Sequence, residues 1–229
     1  MWNKFYKNHS TSFFKDRHWT HREFPIIASP DIRVVLEVGC GVGNLAFPLA
    51  AHFPHLFFNL CDFSQHAIDL VKSNPAYSPA SFNAFVADIS IPLVFAPHIQ
   101  PSSIDLCSCI FVLSAIPPKS LDATLANIHS VLKPDGVLIL RDYAQNDSAQ
   151  SRLSHRFSDS FRVRGDGTFA VFFDLKSLVD VIVLAGFELV DAKVIERQTE
   201  NRKESLILDR LFVQATFRKI NHFSNLIDD

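Results

Sequence analysis

The sequence predicts an α/β fold, a seven-stranded, mostly parallel sheet with helices on both faces and one antiparallel strand. Three observations carry this. Short apolar, β-branched runs alternate with helical patterns, as in a parallel sheet built from strand–helix–strand units. A glycine-rich turn, Gly39-Cys40-Gly41-Val42-Gly43, joins the first strand to the first helix. The last two strand runs follow each other with no helix between them, which requires an antiparallel neighbour near one edge.

The elements follow in order. Residues 33–38 (Arg-Val-Val-Leu-Glu-Val) are a short strand run ending at Gly39. Residues 44–52 read as a helix with Asn44 as its N-cap, a residue type whose side chain satisfies a free N–H of the first turn. Residues 56–63 form the second strand. Residues 64–73 form a helix capped by Ser64, with Ala67, Ile68 and Val71 on its apolar face. Residues 82–87 are the third strand and 104–112 the fourth, apolar at nearly every position, as a strand covered on both faces must be. Residues 120–132 are an amphipathic helix closed by Lys133-Pro134-Asp135-Gly136. Residues 137–140 are the fifth strand, followed at once by Arg141-Asp142-Tyr143. Residues 175–185 are a helix ended by Gly186, and 187–195 and 211–217 are the last two strands. Residues 145–173 break the alternation and carry Arg164-Gly165-Asp166-Gly167-Thr168, a hairpin-turn signal. They read as a lid or substrate-side insertion in a domain spanning 31–229, preceded by a cap over residues 1–30.

Composition narrows the class. The chain has 229 residues, 48% apolar and 20% charged, enough to bury a full core. Lys and Arg number 22 against 24 Asp and Glu, so any nucleic-acid surface must be local. No apolar run reaches the roughly 18 residues of a membrane span. Residues 1–24 hold no apolar stretch of the signal-peptide kind. Four cysteines are too few for a disulfide scaffold, and the expectation is a reduced, cytoplasmic protein. The ten histidines show no metal-ligand spacing, and no metal is expected.

The glycine spacing is informative. A dinucleotide site uses Gly-x-Gly-x-x-Gly to seat pyrophosphate on a helix N-terminus. Here the glycines fall at Gly39, Gly41 and Gly43, the tighter loop of enzymes that bind S-adenosylmethionine, a cofactor without phosphate. Carboxylates then end successive strands. Glu37 ends the first, Asp62 the second, placed to accept ribose hydroxyls, and Asp88 the third, placed to accept from adenine with Ile89 packed on the ring. Ligands bind at this carboxyl edge of a parallel sheet. Each Asp taken alone could equally be a helix cap.

Residues 1–24 hold seven aromatics and five basic residues against Asp16 and Glu23, a local net charge of +3. Aromatic and basic residues interleaved suit a surface that stacks bases and binds phosphates. The same pattern also suits a helical cap over the cleft. Trp2 and Tyr6, one helical turn apart, are expected to face the cofactor.

The runs Trp2-Asn3-Lys4-Phe5-Tyr6-Lys7 and Phe13-Phe14-Lys15-Asp16-Arg17-His18-Trp19-Thr20-His21-Arg22-Glu23-Phe24 resemble the N-terminal signature of the tRNA N3-methylcytidine methyltransferases of the methyltransferase-like family. The likeness continues through Leu36-Glu37-Val38-Gly39-Cys40-Gly41-Val42-Gly43-Asn44, Cys61-Asp62-Phe63-Ser64, Ile110-Phe111-Val112-Leu113-Ser114-Ala115, Arg141-Asp142-Tyr143 and Asp166-Gly167-Thr168. It spans essentially the whole chain. The resemblance implies a class I, Rossmann-like methyltransferase that converts S-adenosylmethionine to S-adenosylhomocysteine and methylates cytidine 32 of the tRNA anticodon loop. Serine or threonine tRNA is the implied substrate, and seryl-tRNA synthetase is a partner of some members. Carried over by motif, the cofactor contacts are Trp2, Tyr6, Gly39, Asp62, Asp88 and Ile110; the residues themselves add Glu37, Gly41, Phe63 and Ile89. The chain departs from the family at Phe169 and Val171, where Arg and Tyr are usual, and at Asp209, where an uncharged residue is common.

The chemistry then asks for few groups. Cytosine N3 bears a lone pair at neutral pH, so alignment with the methyl donor outweighs general-base catalysis. A carboxylate beside the N4 amino group would stabilise the charge that develops. Asp142 is the first candidate, weighed against a structural pair with Arg141, and Asp16 the second. Phe14 or Tyr143 would stack on the extruded base. Lys15, Arg17, Arg22, Arg141, Arg164, Arg202, Lys203 and Arg210 would hold tRNA. A small-metabolite methyltransferase and a catalytically silent tRNA- or protein-binding subunit are the competing readings.

Overall fold

The computed structural model describes residues 2, 6, 15–153, 155, 156, 158, 160–165, 167–201 and 206–220. The strands are β1 (Val34–Val38), β2 (Phe57–Asp62), β3 (Phe82–Val86), β4 (Ile104–Ile110), β5 (Leu132–Tyr143), β6 (His155–Arg156), β7 (Phe161–Val163), β8 (Phe169–Val171), β9 (Phe187–Asn201) and β10 (Leu206–Lys219). The helices are α1 (Thr20–Glu23), α2 (Ala46–His52), α3 (Gln65–Ser73), α4 (Leu121–Val131), α5 (Ser148–Arg152) and α6 (Leu175–Leu184). Seven strands make the main sheet in the order β3-β2-β1-β4-β5-β10-β9. β10 runs antiparallel to both its neighbours and the other pairings are parallel. The predicted class is therefore the observed one.

Alternation along each strand divides the core into two layers. Leu36, Val38, Cys107, Cys109, Leu138 and Leu140 point to one face, where α4 and α6 bring Leu125, Ile128, Leu178 and Ile182. Val35, Phe58, Leu60, Leu106 and Ile139 point to the other, where α2 and α3 bring Ala46, Leu49, Ile68 and Val71. Phe24 and Ile27 join this second layer, so the segment before β1 is packed into the body of the protein.

Three local expectations change. Ser64 does cap α3, accepting from Ala67 N at 3.3 Å. Asn44 does not cap α2, which starts after Leu45; its Nδ2 donates instead to Asp16 Oδ1 at 3.0 Å. Lys133–Gly136 is not a turn before the fifth strand but a bulge within β5, with the register jumping from Ile104↔Leu132 to Leu106↔Val137 and Asp135 left-handed at φ 61°. β9 and β10 outrun the prediction, pairing from Phe187↔Lys219 to Asn201↔Leu206. Because β5 stops at Tyr143↔Phe212, residues 196–201 and 206–211 stand beyond the sheet as a two-stranded ribbon. The insertion holds the expected hairpin, with Arg164 N bonded to Thr168 O at 2.8 Å, within a three-stranded sheet β6-β7-β8 preceded by α5.

Candidate active site

Chain order reverses between β1 and β4, and a crevice opens there at the carboxyl ends of the strands. It is a cavity of about 580 Å³. One side is lined by Trp2, Tyr6, Gly39, Cys40, Gly41, Asp62, Phe63, Ala87, Asp88 and Ile89, and the other by Phe111, Ser114, Tyr143, Phe169, Arg210 and Phe212, among others.

The first side is a cradle built by the β1 turn. Gly39 and Gly41 are left-handed, at φ 59° and 55°. A Cβ on Gly39 would stand 2.6 Å from Val112 Cγ2, and one on Gly41 2.7 Å from Tyr6 Oη. Tyr6 is thus seated against the loop, its ring 6.2 Å from that of Trp2. Asp62 Oδ2 accepts from Gly41 N at 3.0 Å and Oδ1 from Ser64 N at 2.9 Å. Burial still pushes its carboxyl up to about 6, against those two bonds. Asp88 Oδ1 accepts from Ser90 N and Oγ at 3.0 and 2.6 Å. Glu37 lies behind the loop rather than on the wall. Burial pushes it to about 8, opposed by the charge of Arg17, and its Oε2 has no partner among the described residues.

The second side is aromatic and basic. Phe111 follows β4 in a left-handed conformation, φ 60°, with its N–H on Arg141 O at 2.7 Å. Its ring lies 5.3 Å from Tyr143 and 5.4 Å from Phe212. Arg17 sits over Phe111 at 5.4 Å, while Arg164 and Arg210 sit 5.6 and 5.5 Å from the Tyr143 ring. Arg210 is tied down by Asp147, Nε to Oδ2 at 2.9 Å. Lys15 is exposed at the rim.

Several expected contacts fall elsewhere. Asp142 is fully buried and is not on the cavity wall. Its Oδ2 accepts from Ser114 N and its Oδ1 from Tyr143 N, both at 2.9 Å, so it fixes the wall from behind. Arg141 pairs with Glu23 at 3.1 Å and Gln214, not with Asp142, and packs 4.0 Å from the Trp19 ring. Arg141 is turned to Glu23 and to Gln214 of β10, whereas Asp142 is turned to the backbone N–H groups of Ser114 and Tyr143. Asp16 is exposed, held by Asn44, and Arg22 is exposed on α1; neither lines the cavity. Phe14, Arg202 and Lys203 lie outside the described residues. Phe111, Asp147 and Phe212 were missed, and only the cluster of apolar residues after a Gly-free strand end could have marked the first; Trp19, within the run 13–19 expected to meet substrate, does line the cavity. Among the described residues no group of three His, Cys, Asp or Glu side chains is placed to hold a metal, and no helix is long and apolar enough to cross a membrane.

Residues 36–138 match the family model described as a methyltransferase domain. The tRNA N(3)-cytidine methyltransferase METTL6 of Rattus norvegicus is 41% identical over 225 residues, covering 95% of this chain and 78% of that protein. The tRNA N(3)-methylcytidine methyltransferase trm141 of Schizosaccharomyces pombe is 40% identical over 227 residues, 96% of this chain and 91% of that one. Among solved structures, a SAM-dependent methyltransferase from Anabaena variabilis superposes with a TM-score of 0.71 at 13% identity, covering 95% of this chain and 93% of that one. One from Methanosarcina mazei gives 0.67 at 19%, covering 87% and 99%. The structural likeness establishes the fold of S-adenosylmethionine-dependent methyltransferases. The sequence likeness, sustained along almost the whole chain, goes further: the chain belongs to the tRNA N(3)-cytidine methyltransferase family.

Proposed function

We propose that the protein methylates N3 of cytidine 32 in the anticodon loop of serine or threonine tRNA, using S-adenosylmethionine. The observation that carries this is the division of one cavity into a glycine-and-carboxylate cradle and an aromatic, basic wall. The cradle fits the cofactor: Gly39 and Gly41 bring left-handed backbone to the cavity wall where no Cβ can stand against Val112 and Tyr6, and the Asp62 and Asp88 carboxylates line it beside them. Asp62 and Asp88 would accept the ribose and adenine donors, with Ile89 and Phe63 against the ring, Ile110 below, and Trp2 and Tyr6 closing the top. When bound, the cofactor supplies a methyl group on a sulfonium, reactive enough that cytosine N3 needs no prior deprotonation.

The other wall does the rest. The target base leaves its stack, and the rings of Tyr143 and Phe111 receive it. Lys15 and Arg164 hold flanking phosphates. Trp2 and Tyr6 on one side and Thr168 and Phe169 of the insertion on the other shield the cavity from water, so catalysis is mostly alignment. Asp142 acts as a positioning residue, holding Ser114 and Tyr143 in place, since among the described residues no carboxylate lines the aromatic wall. Seryl-tRNA synthetase is the proposed partner for serine tRNA. The four free, buried cysteines suit a reducing, cytoplasmic setting.

The test is methyl transfer to tRNA from cells lacking this modification, with and without seryl-tRNA synthetase, read by nucleoside mass spectrometry. A 3-methylcytidine signal is expected. Its absence under every condition, with S-adenosylhomocysteine still bound in calorimetry, would overturn the substrate and leave the cofactor reading intact.

A further inference from the structure

We propose that Arg17 donates to the exocyclic oxygen O2 of the target cytosine and so turns N3 toward the methyl donor. This rests on the proposed function and assigns Arg17 a role other than holding phosphate.

Arg17 differs from the other basic residues of the cavity in how it is held. Lys15 is exposed at the rim. Arg164 is occupied by Thr168 Oγ1 and Phe169 O, and Arg210 by Asp147. Arg17 is fixed along its whole length. Its N–H donates to Asn44 O at 2.8 Å, its carbonyl accepts from Thr20 Oγ1 at 2.8 Å, and its Nη1 donates to Ile110 O at 3.1 Å. Glu37 attracts the guanidinium from behind the glycine loop.

Ile110 and Phe111 are consecutive and both line the cavity, Ile110 at the end of β4 facing the glycine turn across the strand order and Phe111 past a left-handed turn on the aromatic wall. By bonding the carbonyl of the first and covering the ring of the second, Arg17 straddles the boundary that the methyl group must cross. A guanidinium has five N–H donors in one plane, and the Ile110 bond uses one. A base stacked on this wall offers N4 donors, the N3 lone pair and the O2 acceptor on its Watson–Crick edge. A cation repels the N4 hydrogens and must leave N3 free to react. O2, adjacent to N3, is the acceptor that suits a planar donor here.

The experiment uses the full chain, with seryl-tRNA synthetase wherever the methyl-transfer assay requires it, and tRNA carrying cytidine or 2-thiocytidine at the target. Sulfur at position 2 is a weaker acceptor than oxygen. Arg17→Ala should lower the single-turnover rate by about 100-fold, the scale of a misaligned reactant. Affinities for S-adenosylhomocysteine and tRNA should stay within about 3-fold. Arg17→Lys should recover little, having no planar fork. The thio substitution should slow the wild type about 10-fold and slow Arg17→Ala no further, the coupling expected of two groups in contact. Equal slowing of both proteins overturns the proposal. So does weakened tRNA binding with a reduced salt slope that Lys restores, which marks a phosphate anchor, or lost S-adenosylhomocysteine binding, which marks a structural or cofactor role. A wild type that binds S-adenosylhomocysteine yet methylates no cytidine overturns the proposed function itself, and this assignment with it.

Discussion

Asp62 and Glu37 are buried carboxylates whose ionisation the fold resists. Burial raises Asp62 to about 6 and Glu37 to about 8, from ordinary values of 3.8 and 4.5. The folded chain therefore holds these protons more tightly than the unfolded chain does. Their contribution to stability is complete below about pH 4 and is lost as pH rises through 6 to 8. A ligand carrying an ammonium group and ribose hydroxyls favours the ionised forms, so the dependence of binding has the opposite sign. Affinity for S-adenosylhomocysteine should rise from pH 5.5 to 8.5, with proton release near neutrality, measured by calorimetry in buffers of different ionisation enthalpy. A flat profile would mean that the Asp62 carboxylate does not meet the ligand and that Glu37, behind the loop, does not feel its charge. Asp62→Asn should weaken binding by more than about 100-fold, for two hydrogen bonds to a charged group at about 1.5–3 kcal/mol each, and remove the lower part of the rise. This half of the site was legible in the sequence because its residues sit on consecutive strand ends, where direction is set by the strand itself. Arg141 and Asp142 were legible as a motif and not as a geometry. Where they point depends on partners distant in the chain: Gln214 of β10 and Glu23 for Arg141, and the Ser114 N–H for Asp142.

At the scale of elements, the segment before β1 is locked to the far side of the sheet by one network. The buried Arg141 guanidinium packs on Trp19 and pairs with Glu23, and Glu23 also takes Arg197 of β9 at 2.8 Å. The two pairs should differ sharply in worth. Arg141 has a side chain 6% exposed and Arg197 one 56% exposed. Glu23→Ala strands a buried cation and should cost about 2–3 kcal/mol, below the figure for a fully buried pair because Glu23 is 22% exposed. Arg197→Ala should cost under about 0.5 kcal/mol. Urea unfolding of the two variants checks this, and equal losses would mean that the network does not anchor the segment. The elements most legible in the sequence were those with buried faces. Ser64 with Ala67, Ile68 and Val71 fixed α3 almost to the residue, because an apolar stripe and a cap are both local signals. The ribbon of β9 and β10 was cut short, since Glu196-Arg197-Gln198-Thr199 is polar on both faces and carries no alternation. Its pairing comes from the partner strand.

At the scale of the molecule, a chain of net charge −2 must bind a polyanion through a local field. The carboxyl edge of the sheet gathers that field. Lys15 reaches the rim from the segment before β1, Arg164 from the insertion and Arg210 from the ribbon, three parts of the chain that meet only in the fold. The anticodon loop is single-stranded, so each phosphate neutralised should contribute about −0.7 to the slope of log affinity against log salt concentration. Lys15→Ala and Arg164→Ala should each move that slope toward zero by about 0.7 and weaken tRNA binding most at low salt. Arg210→Ala should move it less, because Asp147 already balances that charge and loses its partner in the variant. Lys176 on α6, paired with Asp180 at 2.7 Å, provides the control: Lys176→Ala should leave the slope unchanged. Filter binding from 50 to 300 mM salt with one tRNA transcript reads all four. If Lys15 and Arg164 leave the slope untouched, the RNA does not reach the cavity across this rim. If Lys176 matters as much as they do, the attraction is a diffuse property of the surface, and the site is not what steers the substrate in.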